Sequence, residues 1–398
     1  MAGGKGSRIQ SVRSDVPKPM IEICGKPILQ YQIENLRECA LTDITIGVGY
    51  LGDAIKAYFG DGSSFGVTID YFTEDHPLGT AGALFKMLDG KNCGEIDTKT
   101  AIDDDFLLLC GDIIFDVDFN RFIDFHKTHN AWASLASHPN GHPYDSSLLV
   151  TEILPPEREG GLPVHTHRVV KWLAKEDERT WYRNLVNAGI QIISPELLRK
   201  TARTFVPRHP ETPDKIDLDR DVLKPNIESG KIFAYETPEY IKDMGTPDRY
   251  YETEADIRSG KVSARNLRSK QKAVFLDRDG TINKDCGFIT DAENFELLPE
   301  AAEAIKKINA SGYLAIVVTN QPVIARGECT FEELERIHNK METELGKKGA
   351  FIDGLYFCPH HPDKGFAGER TEYKCECACR KPAPGMLLQA AKDFNIDI

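Results

Sequence analysis

Short β-rich apolar runs alternate with helical patterns along the whole chain. ITIGVGY and FLLLCGD in the first half, and KAVFLD and YLAIVVTN in the second, have the composition of buried parallel strands. Between such runs, Thr330 and Glu333 form a capping box that predicts a helix start, apolar residues then share one face, and Gly346 is expected to end the helix. This alternation predicts an α/β fold with ligands at the carboxyl ends of strands.

The chain has 398 residues, and because domains hold about 100–200 residues each, two domains are expected. The stretch from Asp256 to Gln271 is rich in Arg, Lys and Ser and poor in large apolar residues. It predicts a linker at 257–271 between a domain at 1–256 and a domain at 272–398. Each domain is expected to be a doubly wound, Rossmann-like α/β domain.

Charge and hydropathy exclude several classes of function. A net charge of −13 argues against non-specific nucleic-acid binding. No apolar stretch approaches the roughly 18–20 residues that span a bilayer, so we expect a soluble, cytoplasmic protein without a membrane partner. Six of the ten cysteines are scattered and four crowd beside histidines, a pattern typical of metal binding in a reducing compartment.

The opening segment AGGKGSR is rich in glycine and carries two cations. The backbone N–H groups around Gly3, Gly4 and Gly6, together with Lys5 and Arg8, could converge on a polyphosphate. A plain structural turn is the alternative. The segment SDVPKPMIEICGKPIL follows, and it places Lys18 between two prolines that stiffen the backbone.

These segments resemble the sugar-phosphate nucleotidyltransferases, whose signature is AGGxGxR followed by PKPM and GKP. EDHPLGTAGAL, LLLCGD, NAGI and DMGTPDRY repeat further family features. The resemblance implies a glycosyltransferase-A-like fold in which Arg8 and Lys18 hold the nucleotide phosphates. It further implies that Gly79 and Thr80 shape the nucleoside pocket and that Asn187 contacts the sugar. Asp112 and Asp243 are expected to bind Mg²⁺. Lys175 is expected to meet the sugar phosphate, although its neighbours depart from the family's Glu-Lys-Pro trio.

The reaction implied by this resemblance joins a sugar 1-phosphate to a nucleoside triphosphate. It needs positioned cations and a metal but no protein nucleophile, because a sugar phosphate oxygen itself attacks the α-phosphorus of the nucleotide. Glu74 lies five residues before Gly79, where a uridine-using relative would carry an amide. An ionised carboxylate only accepts hydrogen bonds, and guanine offers two adjacent donors. GTP is therefore the expected donor, and a solvated glutamate at a loop edge is the alternative.

In the second half, AVFLDRDGTIN places Asp277 and Asp279 directly after a buried strand. The pair resembles the first motif of the haloacid dehalogenase superfamily, and two surface aspartates in a turn are the alternative. The resemblance implies that Asp277 is the nucleophile, that Asp279 is the acid and base, and that both bind Mg²⁺. VVTNQ and CRKPAPGM match the second and third motifs, which implies roles for Thr319 and Lys381.

Four cysteine and histidine residues have the spacing of a zinc site. Cys358, His360, Cys377 and Cys379 form a Cys-x-His and Cys-x-Cys set, which predicts a closed, tetrahedral structural Zn²⁺ centre. Cys375 and His361 are spare candidate ligands, and reduced cysteines without metal are the alternative reading.

DRDGTIN, TNQPVIARGECT and CRKPAPGM together closely resemble the bacterial D,D-heptose 1,7-bisphosphate phosphatases, relatives of histidinol phosphatase. The resemblance implies that Asn320, Arg326, Arg380 and Lys381 contact substrate. The family's fourth motif is expected beyond FNIDI, and the transferases carry an apolar strand before AGGxGxR. We therefore expect both domains to be truncated at the chain ends, with two compromised catalytic centres as the alternative.

Taken together, the two halves predict a bifunctional enzyme of nucleotide-activated heptose synthesis. One half would remove the 7-phosphate of a heptose bisphosphate, and the other would couple the heptose 1-phosphate to GTP. The alternatives are a mannose 1-phosphate guanylyltransferase fused to a phosphatase of other specificity, or a transferase beside an inactive binding or oligomerisation module. Homo-oligomerisation is left open.

Overall fold

The computed structural model describes residues 16–49, 51–89, 102–208 and 211–398. The glycine-rich segment with Gly3, Gly4, Gly6 and Arg8 lies outside the described residues. Within the described ranges, no helix has both the length and the apolar character needed to cross a membrane.

Fifteen strands are present in the described part of the chain. They are β1 (Glu22–Ile23), β2 (Lys26–Pro27), β3 (Asp43–Val48), β4 (Thr68–Thr73), β5 (Phe106–Leu109), β6 (Ile113–Asp116), β7 (Ala133–His138), β8 (Leu148–Leu154), β9 (Val164–Leu173), β10 (Val186–Ile193), β11 (Ile232–Glu236), β12 (Tyr240–Asp243), β13 (Ala273–Leu276), β14 (Leu314–Asn320) and β15 (Gly354–Cys358).

Ten α-helices lie between these strands, counted over the same described ranges. They are α1 (Ile28–Glu38), α2 (Gly52–Phe59), α3 (Gly82–Asp89), α4 (Phe119–Thr128), α5 (Pro195–Thr204), α6 (Pro247–Arg258), α7 (Lys261–Ala264), α8 (Ala301–Ser311), α9 (Phe331–Lys347) and α10 (Gly385–Phe394).

The chain divides into two compact units. The first comprises Met1–Ala136, Ala188–Tyr235 and Glu239–Asn266, and the second comprises Ser137–Asn187, Glu236–Pro238 and Leu267–Ile398. The predicted linker at 257–271 contains the end of α6 and the whole of α7. The second unit therefore combines the C-terminal part of the chain with a segment from its first half.

The first unit contains both parallel and antiparallel pairs. β3 pairs with β4 in parallel, from Asp43 opposite Thr68 to Val48 opposite Thr73. The expectation of parallel pairing is wrong for FLLLCGD, because β5 pairs with β10 antiparallel. Its residues are only half-buried, and an apolar run of four does not by itself distinguish the two kinds of pairing. In this unit the strands lie in the order β5-β10-β7-β11.

The second unit contains a parallel sheet in the order β13-β14-β15. Alternate side chains of β14 face opposite layers: Ala315 and Val317 share a core with Ile337 and Met341 of α9. Leu314, Ile316 and Val318 instead share a core with residues of α10, including Met386 and Ala390. Helices therefore cover both faces of this sheet, which is the predicted doubly wound α/β arrangement.

Helix α9 begins where the sequence predicts. The Thr330 hydroxyl accepts from the Glu333 backbone N–H, and the Glu333 carboxylate accepts from the Thr330 backbone N–H. The predicted end at Gly346 is wrong, because the helix continues through Lys347 and Gly346 is buried in its last turn. A Cβ on Gly346 would lie 2.6 Å from Pro143 Cγ, so close packing accounts for this glycine.

Candidate active sites and metal centre

Two carboxylates lie at neighbouring strand ends in the first unit. β6 and β12 pair antiparallel, with Asp243 opposite Ile113, and the Met244 backbone N–H donates to the Asp112 carbonyl at 2.8 Å. Asp112 Oδ2 lies 2.5 Å from Lys18 Nζ, and Arg249 Nη1 lies 2.7 and 2.6 Å from the two carboxylate oxygens of Asp243. The strand pairing thus brings Asp112, Asp243 and Lys18 into one region.

The donor set at these strand ends suits a hard cation. Mg²⁺ prefers oxygen ligands and is commonly held by one or two carboxylates together with substrate phosphates. Asp112 and Asp243 are the residues that would hold it, and the ion would neutralise charge on the phosphates. Lys18 forms an ion pair with Asp112, and Arg249 forms an ion pair with Asp243. Each carboxylate therefore already has a cationic partner in this region.

The predicted nucleoside loop is held against residues 216–218. Gly79 has φ +78°, and a Cβ there would lie 2.4 Å from the Ile216 carbonyl oxygen. The Thr80 hydroxyl oxygen accepts from the Leu218 backbone N–H at 2.7 Å, and the Ala81 backbone N–H donates to the Ile216 carbonyl at 2.9 Å. Position 79 therefore requires glycine for its backbone conformation and for the close approach.

Glu74 lies just before this loop. Its Oε2 lies 3.5 Å from the Leu78 backbone nitrogen. Partial burial raises the pKa of the Glu74 carboxyl, and the interaction with Leu78 acts in the opposite direction. The carboxylate is thus positioned by the loop, and its role in reading a base stays a prediction.

The two remaining transferase candidates lie in the second unit. The Lys175 side chain is exposed, and its Nζ is 4.0 Å from Glu176 Oε1. The Asn187 backbone N–H donates to the Ser147 carbonyl at 3.1 Å, while its side-chain Oδ1 is buried without a hydrogen-bond partner among the described residues. An unpaired buried acceptor of this kind can receive a ligand hydroxyl.

The second unit brings the predicted phosphatase residues together at the carboxyl ends of β13 and β14. Lys381 Nζ lies 2.5 Å from Asp277 Oδ2 and donates to the Val318 carbonyl at 2.9 Å. Asn320 fixes the Lys381 backbone from both sides: its Oδ1 accepts from the Lys381 N–H at 2.9 Å and its Nδ2 donates to the Lys381 carbonyl at 3.1 Å. The Lys381 side chain is therefore held against the carboxylate of Asp277, the predicted nucleophile.

Asp279 is surrounded by donors. The fully buried Arg278 contacts both of its oxygens, at 2.8 and 2.9 Å from Nη2. Gln321 Nε2 donates to Asp279 Oδ2 and to the Thr319 hydroxyl, both at 2.9 Å, and Asn283 Nδ2 donates to Asp279 Oδ1 at 3.1 Å. These bonds fix the orientation of the carboxylate and connect it to Thr319.

Arg326 and Arg380 occupy different surroundings. The Arg326 guanidinium carbon lies 4.3 Å from the ring centroids of both Phe288 and Phe366, a cation–π arrangement. Arg380 Nη1 donates to the His360 carbonyl at 3.1 Å. Arg380 is thereby tied to the cysteine and histidine cluster.

The four predicted zinc ligands form one cluster, with one donor atom from each of Cys358, His360, Cys377 and Cys379 within 4.8 Å of the others. The three sulfur–sulfur distances are 3.2, 3.4 and 3.5 Å, and His360 Nδ1 lies 3.4 and 3.5 Å from two of the sulfurs. The hydrogen bond between Cys379 and Cys358 lowers the pKa of the Cys379 thiol to about 5. Three sulfurs and one imidazole nitrogen fit a tetrahedral Zn²⁺.

The comparison with known proteins covers both halves. The nucleotidyl transferase family model matches residues 1–260. The chain belongs to the nucleotidyl transferase family. A solved structure of a protein assigned as a glucose-1-phosphate thymidylyltransferase from Bacillus anthracis aligns with 65% of this chain and 93% of its own, with 19% identity and a TM-score of 0.52. This likeness supports the fold of the transferase part alone.

The C-terminal part is similar to D-glycero-beta-D-manno-heptose-1,7-bisphosphate 7-phosphatases. The Pasteurella multocida protein is 44% identical over 127 residues, which are 32% of this chain and 66% of that protein. The Haemophilus ducreyi protein is 41% identical over 128 residues, which are 32% and 68%. The chain thus spans about two thirds of the length of these phosphatases.

Sequence reasoning on this nucleotidyl transferase missed three side chains that support the phosphatase carboxylates. They are Arg278, Gln321 and Asn283. The sequence does contain a signal for Arg278, because it lies between two aspartates directly after a predicted buried strand. A buried cation needs an anionic partner, which predicts an ion pair with one of these aspartates. Arg249, which pairs with Asp243, lies in the quoted segment DMGTPDRY and was likewise unassigned.

Proposed function

We propose that this nucleotidyl transferase is a bifunctional enzyme of nucleotide-activated heptose synthesis that acts in the cytoplasm. The phosphatase part removes the 7-phosphate of D-glycero-D-manno-heptose 1,7-bisphosphate, and the transferase part couples the heptose 1-phosphate to a nucleotide, preferably GMP from GTP. The observation that carries the proposal is the coexistence of the Lys381–Asp277 pair with the Asp112 and Asp243 carboxylates. The similarity to heptose bisphosphate phosphatases supports the choice of sugar.

In the phosphatase part, a carboxylate oxygen of Asp277 attacks the phosphorus of the 7-phosphate, and the bond between phosphorus and the sugar oxygen breaks. Asp279 gives a proton to the leaving oxygen and later takes one from the attacking water, which releases inorganic phosphate. Lys381 and the Thr319 hydroxyl neutralise and orient the phosphoryl oxygens. The reciprocal bonds between Asn320 and the Lys381 backbone fix the main chain that carries this side chain, and the Val318 carbonyl accepts from its ammonium group.

In the transferase part, the 1-phosphate oxygen of the heptose attacks the α-phosphorus of the nucleoside triphosphate, and pyrophosphate leaves. Lys18 and Arg8 bind phosphate oxygens, and Asp112 and Asp243 would hold Mg²⁺, which would supply charge neutralisation at the phosphates. Asn187 and Lys175 contact the sugar phosphate. Glu74 accepts from the adjacent N–H groups of guanine, and the Gly79–Thr80 turn shapes the nucleoside pocket.

The proposal is tested by a donor panel. The protein is incubated with Mg²⁺, heptose 1-phosphate and each of GTP, ATP, CTP and UTP in turn, and pyrophosphate is measured. The expected result is pyrophosphate with GTP above the other three donors. Pyrophosphate with UTP or CTP instead would overturn the assignment of Glu74.

The sugar is tested separately. Phosphate release from heptose 1,7-bisphosphate is compared with release from histidinol phosphate, and pyrophosphate release from heptose 1-phosphate is compared with release from mannose 1-phosphate. The heptose compounds are expected to be preferred in both reactions. Pyrophosphate from mannose 1-phosphate without any phosphate release would instead identify a guanylyltransferase beside an inactive module.

A further inference from the structure

The second unit joins residues 137–187, which belong to the part matched by the transferase family model, to the phosphatase part beginning at Leu267. Three stretches of that segment contact the phosphatase part: residues 139–143, 155–163 and 181–184. We refer to these stretches together as the docking strip. Its contacts reach both helix α9 and the segment 375–381, which carries Cys377 and Cys379 and which we call the zinc loop.

The contact with α9 is made by main-chain groups. The Tyr182 backbone N–H donates to the Thr343 hydroxyl oxygen at 2.9 Å, and the Thr343 hydroxyl lies 3.1 Å from the Tyr182 carbonyl. Two residues further on, the Asn184 backbone N–H donates to Glu342 Oε2 at 2.8 Å. Glu342 and Thr343 are both buried. Polar residues buried on a helix need partners, and here the docking strip supplies them.

An aromatic ring extends the contact with α9, and an ion pair braces the strip beside it. The Arg183 guanidinium pairs with Glu236 at the end of β11, outside the phosphatase part, with nitrogen–oxygen distances of 2.6 and 3.0 Å. Trp181 lies under two cations of α9, with the Arg336 guanidinium carbon at 5.4 Å and Lys340 Nζ at 5.2 Å from ring centroids. The docking strip therefore contacts α9 through hydrogen bonds to its buried polar residues and through the ring of Trp181.

The contact with the zinc loop is made at Gly160. This glycine has φ +72°, and a Cβ there would lie 3.3 Å from Cys377 Cβ and 3.4 Å from the Glu376 carbonyl oxygen. Cys379 Sγ lies 3.9 Å from the Gly160 carbonyl oxygen. Leu162 packs on the core cluster that contains Cys358 and Cys379. The strip thus touches the zinc loop closely enough to fix its course.

The zinc loop leads directly to the phosphatase site. Cys379 is followed by Arg380, which bonds the His360 carbonyl, and by Lys381, which contacts Asp277. A displacement of Cys377 or Cys379 would therefore move the ammonium group that faces the nucleophile. The loop is held on one side by its ligand cluster and on another by the docking strip.

We propose that the docking strip is a positioning surface for the phosphatase reaction: by packing on the zinc loop and α9, it holds the loop so that Lys381 faces Asp277. The phosphatase part is then completed by the transferase part of the same chain. The effect on catalysis rests on the proposed function, whereas the effect on the zinc loop does not.

The first test uses Gly160→Val in the full chain, with Gly312→Val as its matched control. Both glycines have positive φ, but a Cβ on Gly312 meets no atom within 4 Å, so the control carries the backbone strain without the contact. Zinc release to a chelator is expected to be about tenfold faster in Gly160→Val than in Gly312→Val, as for losses of groups that support metal ligands. The kcat for phosphate release is expected to fall with KM little changed, and Gly160→Ala should give an intermediate result.

Equal zinc release and equal kcat in Gly160→Val and Gly312→Val would overturn the proposal. Pyrophosphate release in the same samples reports whether the transferase part is folded. If the unmodified protein releases no phosphate at all, the proposed phosphatase function fails, and the zinc-release comparison still decides whether the strip holds the loop.

A second test needs no variant. Amide hydrogen exchange is measured in the unmodified protein before and after zinc is removed with a chelator, and again after Zn²⁺ is restored. Exchange in residues 155–163 is expected to rise on removal and to return on restoration, while exchange in α8 stays unchanged. No change in residues 155–163, or a rise shared equally by α8, would contradict a local contact between strip and loop.

Discussion

The two candidate active sites differ in how their side chains are held. In the phosphatase site, Lys381 is fixed by main-chain and side-chain bonds from Val318 and Asn320, and Asp279 is held by three separate side chains. Among the described residues, Asp112 and Asp243 of the transferase site each pair with one cation, Lys18 or Arg249. The first arrangement is preorganised for one geometry, whereas the second must exchange ion-pair partners when phosphates bind.

The largest effect is expected from a substitution of Asp277, the predicted phosphatase nucleophile. Asp277→Asn removes the attacking carboxylate, so phosphate release should fall roughly a thousandfold or more while pyrophosphate release is kept. Phosphate release is measured with heptose 1,7-bisphosphate, and pyrophosphate release is measured in a separate assay that supplies heptose 1-phosphate and GTP directly. Equal loss of both products would contradict separable sites.

The reciprocal substitution acts on the transferase site. Asp112→Asn removes one carboxylate charge from the predicted Mg²⁺ site, and pyrophosphate release should fall roughly a hundredfold or more because charge neutralisation at the phosphates is weakened. Phosphate release should be unchanged. Asp248→Asn, an exposed position at the start of α6, is the matched control, and a similar loss in the control would remove the special role of Asp112.

A smaller effect is expected from substitutions at the predicted zinc centre, which test which cysteines bind Zn²⁺. Cys377→Ser removes a soft sulfur ligand, so the bound zinc per chain should fall and phosphate release should drop by about 10- to 100-fold. Cys375→Ser and the exposed Cys286→Ser should keep their zinc. Unaltered metal content in Cys377→Ser would contradict its assignment as a ligand, and zinc loss in Cys375→Ser would assign the ligand to Cys375.

The smallest expected effect concerns pH and the buried Glu342. Burial raises the pKa of Glu342 to about 7 from an ordinary value near 4.5. A carboxyl with a raised pKa favours the folded state fully below its ordinary pKa and loses that contribution as pH rises through the folded value. Relative to Glu342→Gln, the unmodified protein should therefore lose a few degrees of Tm between pH 5 and pH 8. A Tm difference that is the same at both values would contradict a buried, titrating carboxyl.

Local features of the fold were accessible from the sequence, and tertiary ones were less so. The capping box at Thr330 and Glu333 predicts the start of α9 because both partners lie within one turn. Its end was mispredicted because Gly346 serves packing against Pro143, a contact between distant parts of the chain. Likewise, the composition of Phe106–Leu109 indicates a strand and leaves open that its partner β10 runs antiparallel.

The candidate sites show the same division. The position of Asp277 was predicted by a motif that directly follows a parallel strand, and the role of Lys381 was predicted by the resemblance of CRKPAPGM to a family motif. The support of Asp279 by Gln321 and Asn283 depends on how three loops fold together, which spacing does not encode. The grouping of residues 137–187 with the phosphatase part depends on bonds such as Tyr182 to Thr343, 161 positions apart.

A single time course tests whether one chain carries out the two consecutive reactions. Phosphorus NMR follows the protein with Mg²⁺, heptose 1,7-bisphosphate and GTP in one vessel. Inorganic phosphate is expected to appear first and heptose 1-phosphate to be transient. Pyrophosphate and a nucleotide-linked heptose should then accumulate in equal amounts. Unchanged bisphosphate, or pyrophosphate formed without prior phosphate release, would contradict this order of reactions.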